Sequence, residues 1–154
     1  MATNTLSSAF RKLDIDQYNE DIFVDESGGE SAELVQTLGP DEAEVNALLN
    51  RSKAAEALKI VLKNAPINAK GFEVKDKAFA LAMKCMLAVR MSEMDAFVSS
   101  LEPDLVDTLM KYIYRGFESP AEGSSGHLLA WHEKTFAQGG LGSIMRVMTA
   151  RKSV

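Results

Sequence analysis

From Gly39-Pro40 onward, apolar residues recur with a period near 3.6, which predicts helix after helix and no strand. Pro40 to Asn50 opens with acids in its first turn, where the helix dipole favours them, and turns Val45, Leu48 and Leu49 inward. Ser52 is placed to cap the next helix, which runs to about Asn64 with Leu58, Val61 and Leu62 inward. A longer helix spans about Glu73 to Met91. Ser92-Glu93-Met94-Asp95 has the spacing of a capping box before Phe97, Val98 and Leu101. The densest stretch comes next: Leu105, Leu109, Ile113 and Phe117 repeat every four residues, with Val106, Met110, Tyr112 and Tyr114 between them. A helix apolar on so many faces belongs inside a bundle. Pro103 suits its first turn, and Gly116 with Ser119-Pro120 is expected to end it. Ser119 to Glu122 repeats the capping-box spacing ahead of Leu128, Leu129, Trp131, Thr135 and Phe136. Gly139-Gly140 closes that helix, and a last short one runs from Ile144 to Met148. The predicted fold is all-α: about seven helices over residues 39–154, as a compact bundle or a short α-α superhelix.

Residues 1–38 differ in kind and read as an extended acidic N-terminal arm. Acids surround isolated hydrophobes, and Ser27-Gly28-Gly29 interrupts any period. The net charge of −5 hides the contrast: residues 1–44 hold 11 acids against Arg11 and Lys12, and the remainder holds 11 acids against 15 bases. So charged a segment cannot offset the entropy of ordering by itself. Phe10, Tyr18 and Phe23 are nevertheless aromatic. One expectation is a floppy solvated tail; the sharper one is an arm that orders on a partner, with these three and Ile15 as its anchors. Its acidity speaks against nucleic acid as that partner.

The 154 residues, 46% hydrophobic and 25% charged, suit one globular domain. No apolar run approaches the length of a membrane span, so membrane insertion is not expected. The first residues lack a secretory h-region, and the lone Cys85 fits a reducing compartment, so a cytoplasmic location is expected. Chemistry is sparse. His127 and His132 are five apart and lack ligand neighbours, which disfavours a metal. Cys85 sits mid-helix among Ala82, Met86 and Val89 as a buried thiol without a basic partner. The acidic run at Asp14 has no glycine where a calcium loop needs one, and Gly139 to Ser143 lacks the Lys-Ser/Thr of a phosphate loop. No catalytic constellation, cofactor site or metal site emerges.

Longer blocks carry a resemblance. Asn4-Thr5-Leu6-Ser7-Ser8, Phe10-Arg11-Lys12, Asp14-Ile15-Asp16 and Phe23-Val24-Asp25-Glu26 in the arm resemble the 16 kDa subunit (subunit 5) of the actin-related protein 2/3 complex. So do Gly39-Pro40-Asp41 and, most strongly, Leu109 to Glu118, followed by Trp131-His132-Glu133-Lys134, Gly139 to Ile144 and Thr149 to Lys152. The resemblance implies a non-enzymatic subunit of the assembly that nucleates branched actin filaments. It implies a helical body on the β-propeller subunit and subunit 4, and an arm reaching the actin-related protein 2 subunit. Partner contacts are expected at Phe10, Ile15, Tyr18 and Phe23 in the arm, and at Trp131, Leu141, Ile144 and Arg146 on the body. The competing expectation is a free-standing helical adaptor that binds a peptide or helix in a groove.

Overall fold

The computed structural model describes residues 39–69, 71–150 and Val154. The arm and its four anchors lie outside the described residues. Six helices follow in order: α1 (Glu42–Asn50), α2 (Ala54–Lys63), α3 (Phe72–Ala88), α4 (Met91–Ser99), α5 (Pro103–Glu118) and α6 (Ser125–Met148). There is no strand among the described residues. α6 is broken at Gly140, whose φ of 61° and ψ of −168° are not helical. The expected count of about seven is therefore six helices, the last in two parts.

All six helices feed one core, and helices far apart in sequence touch, α2 with α5 and α3 with α6 among them. A solenoid confines contacts to neighbouring repeats. The compact bundle is thus the realised alternative. α5 runs through its middle: from Leu105 to Phe117 no residue is fully exposed. Val106, Leu109, Met110, Tyr112 and Ile113 are buried, and Pro103 occupies the first turn as expected.

α5 packs most extensively on α6, and the two parts of α6 meet it in opposite order. Leu128 lies against Gly116 and Gly139 against Val106, so the first part runs antiparallel to α5. Beyond Gly140, Arg146 reaches Asp107 and Val154 reaches Arg115. The chain returns along α5 in the other direction.

Four local expectations are corrected. Ser52 does not cap α2: it has a φ of 60°, and Lys53 takes the N-cap place without a side-chain bond. Ser52 instead closes α1, with its N–H on the Leu49 carbonyl (3.0 Å) and that of Lys53 on the Leu48 carbonyl (3.0 Å). That is the Schellman ending, in which the left-handed residue is usually glycine. Ser92 lies inside the first turn of α4, whose N-cap is Arg90, because Val89 and Arg90 are extended and α3 stops at Ala88. Ser119 is the C-cap of α5, and α6 begins only at Ser125 after a turn with Gly123 at a φ of 76°. Gly116 does not stop α5 but lies buried within it. A Cβ there would stand 3.0 Å from Leu128 Cδ1 and 3.4 Å from Met83 Sδ. The missing side chain is what lets α6 approach.

Two stability measurements follow. Ser52→Gly removes a left-handed side chain and is expected to raise stability by about 1 kcal/mol in thermal or urea unfolding. Gly116→Val drives a branched side chain into Leu128 and is expected to lower it by about 2 kcal/mol. A neutral Gly116→Val would show that α6 does not need this approach.

Candidate interaction surface

Trp131 anchors α6 from within. It is wholly buried, edge-on to Phe97 at 5.8 Å between centroids, and its indole N–H donates to the Met86 carbonyl at 3.0 Å. One turn earlier, His127 Nε2 lies 3.0 Å from the Val89 carbonyl. Met86 belongs to the last turn of α3 and Val89 is its C-cap, so α6 satisfies carbonyls that a helix end leaves without partners. Of the four body residues expected at an interface, Trp131 is thus placed in the core, with no side-chain surface to offer.

The other three lie beyond the Gly140 break. Leu141 is 66% exposed, Ile144 is half-buried, and Arg146 is exposed. The guanidinium of Arg146 grips Asp107 through two bonds, Nε to Oδ2 at 2.5 Å and Nη2 to Oδ1 at 2.9 Å. That bond holds the guanidinium pKa above its already high ordinary value. Arg146 is therefore engaged within the chain, and Leu141 is the expected residue most open to a neighbour.

Other exposed apolar residues lie along α6 that the sequence did not assign to a surface. Leu129 and Phe136, two turns apart, point outward from the first part of α6. Between them His132 stacks on Phe136, 6.2 Å between centroids, and leans on Tyr114 and Phe117 of α5. Past the break, Leu141, Met145 and Met148 are exposed at i, i+4 and i+7. Both stripes carry helical periodicity identical to that of a core face. Outward apolar stripes of this kind mark contact surfaces on soluble proteins.

A second feature lies between α3, α5 and the chain's last residues. Phe72, Lys75, Lys111, Tyr114, Arg115, Glu118, Val147, Ala150 and Val154 line an open groove of about 510 Å³. Arg115 organises its floor: Nη1 donates to the carbonyls of Val154 (2.5 Å) and Lys75 (3.2 Å), Nη2 pairs with Asp76, and the guanidinium lies 4.8 Å from the Phe79 ring centre. Only arginine presents a flat cation with donors on several edges.

Neither feature resembles a reaction centre. Among the described residues no three His, Cys, Asp or Glu side chains converge as metal ligands. His132 is packed among aromatics, and Cys85 is completely buried. Burial pushes the Cys85 thiol from 9.0 up to about 11, with Lys84 opposing. No helix among the described residues is long and apolar enough to cross a membrane.

Comparison with known proteins gives these surfaces a context. The family model for the "ARP2/3 complex 16 kDa subunit (p16-Arc)" matches residues 9–154. The chain belongs to that family. It is 48% identical to the Xenopus laevis actin-related protein 2/3 complex subunit 5-B, over the whole of both chains. The human actin-related protein 2/3 complex subunit 5-like protein is 49% identical over the same full extent. The Dictyostelium discoideum actin-related protein 2/3 complex subunit 5 is 32% identical across 84% of this chain and 92% of its own. For this member of the 16 kDa family, the model match begins inside the arm, one residue before Phe10.

The buried thiol yields a pH prediction. Its folded pKa lies above the 9.0 of an exposed thiol, so its stabilising contribution is complete below pH 9 and is lost as pH rises toward 11. At pH 8 a thiol-specific chromogenic disulfide is expected to leave the native chain unmodified and to react with one equivalent after denaturation. Fast reaction of the native chain would mean that Cys85 is accessible.

Proposed function

We propose that this chain is a non-catalytic structural subunit of the actin-related protein 2/3 complex, supporting nucleation of branched actin filaments in the cytoplasmic actin cytoskeleton. The observation that carries this reading is the full-length identity of 48–49% to proteins named as subunit 5 or 5-like of that complex, with the family match over residues 9–154. The helical body docks on the β-propeller subunit and subunit 4. Leu129, Phe136, Leu141, Met145 and Met148 are the apolar side chains it presents there, with half-buried Ile144 and the Arg146–Asp107 pair at the edge. The arm, residues 1–38, tethers the actin-related protein 2 subunit through Phe10, Ile15, Tyr18 and Phe23. A tether keeps the local concentration of its partner high, so modest contacts hold a subunit that must move.

The groove beside Arg115 favours a second reading, a free-standing adaptor that takes a peptide or helix there. Purification of the tagged full-length chain from its own cytosol separates the two. Stoichiometric recovery of both actin-related proteins, the propeller subunit and subunit 4 is the expected result. Recovery of the chain alone, or with one unrelated protein, would transfer the reading to the adaptor.

Within the assembly reading, the roles of the two segments are separable. Leu129→Glu with Phe136→Glu is expected to weaken retention of the whole chain by about 10- to 100-fold. Deletion of residues 1–38 is expected to keep the body bound and to lower retention of the actin-related protein 2 subunit and branching activity in pyrene-actin assays. Unchanged branching without the arm would refute the tether.

A further inference from the structure

We infer that residues 141–150 form a hinged segment that lifts from α5 as a unit, pivoting at Gly140, latched by Arg146 on Asp107 and held beyond its far end by buried Val154 on Arg115. Three independent observations carry this. The first is the pivot. A φ of 61° with a ψ of −168° is essentially reserved for glycine, and there the chain reverses along α5. Neighbouring Gly139 is equally committed: a Cβ on it would meet Ser143 Cβ at 2.9 Å and Val106 Cγ1 at 3.1 Å.

The second observation is how little apolar surface holds the segment down. In the first part of α6, Leu128, Trp131 and Thr135 are fully buried. Between 141 and 150 only Ser143 is, and its hydroxyl bonds back to the Gly140 carbonyl rather than across to α5. Ile144 and Val147 are half-buried, and the rest are exposed. The segment is also flanked by unfilled space on both sides. A gap of about 160 Å³ is lined by Pro103, Val106, Gly139 and Arg146, and the larger groove by Lys111, Tyr114, Val147 and Ala150. Few apolar contacts and incomplete packing place a segment at the low end of local opening free energies.

The third observation is the fastening. The Arg146–Asp107 pair is bidentate, yet the Arg146 side chain is 56% exposed, so salt screens it. Val154 stays seated on Arg115, so opening bows the segment away from α5 between Gly140 and that anchor and displaces Leu141, Met145 and Met148 together. The segment therefore governs whether that stripe is presented in a fixed place. The device is internal to the chain and does not depend on the assembly proposed above.

Hydrogen–deuterium exchange on the full chain tests it without any partner. Amides of 141–150 are expected to exchange at least ~10-fold faster than those of α5 and of residues 125–138. Asp107→Asn and Arg146→Gln are each expected to accelerate 141–150 alone, by about 2- to 5-fold, the effect of losing an exposed ion pair. Raising salt to about 1 M should reproduce that acceleration in the wild type and have no further effect in either variant. The exchanged pair, Asp107→Arg with Arg146→Asp, should restore protection, which mere loss of side-chain packing would not do. Protection of 141–150 equal to that of α5 would overturn the proposal. So would an Arg146→Gln chain in which both regions accelerate alike or neither changes.

Discussion

The structure depends on the hydrogen bond from Trp131 to the Met86 carbonyl. α3 ends abruptly, with extended residues at Val89 and Arg90 before α4 begins, and the Val89 N–H closes only onto the Cys85 carbonyl. Buried carbonyls without partners would cost free energy comparable to lost hydrogen bonds. α6 supplies the partners through Trp131 and His127, one turn apart. The same indole meets Phe97 of α4. One side chain thus ties together three helices, and the α3–α4 corner exists in its observed form because α6 lies across it. The Gly116 approach has the same origin. Leu128 enters the space that a side chain on α5 would fill, which sets how deeply α6 can seat.

Past its break, α6 is a different object. Its first part is held by aromatic burial and bonds to buried carbonyls. Its second part is held by charge at a surface. Arginine serves at both ends of this return: Arg146 binds a carboxylate of α5, and Arg115 of α5 binds the Val154 carbonyl. A planar cation with several donors keeps its geometry where lysine would not. Apolar burial therefore fixes the centre of the body while directional polar contacts position the returning segment beyond Gly140.

The architecture was largely legible in the sequence, and the places where reading failed share a cause. Helix periodicity located every element, and the crowded pattern at Leu105 to Phe117 identified the helix at the centre. Three serines, Ser52, Ser92 and Ser119, were misplaced because a capping pattern is local. The same residues fit one turn earlier or later, and tertiary contacts decide the register. Gly116 was misread because an absent side chain signals a helix end and a close approach equally well. Trp131 looked like a surface anchor and is core, whereas Leu129 and Phe136 followed the core rhythm and are exposed. Periodicity reports that a face is apolar, not whether its cover belongs to the same chain. The arm anchors Phe10, Ile15, Tyr18 and Phe23 rest on sequence alone.

Two hydroxyls bear on how such a body keeps its shape. Tyr112 and Thr135 are buried, and neither oxygen finds a hydrogen-bond partner among the described residues. Burial drives the Tyr112 phenol well above its ordinary pKa, against the opposing pull of Arg115. Each such group costs on the order of 1–3 kcal/mol relative to a satisfied one. A core with two such groups carries a cost that its apolar packing must offset. Selection acts on the form a protein occupies in use, and neighbours that bind only the folded chain add stability in proportion to the logarithm of their concentration. For a subunit held among neighbours, that added stability offsets such costs in its interior.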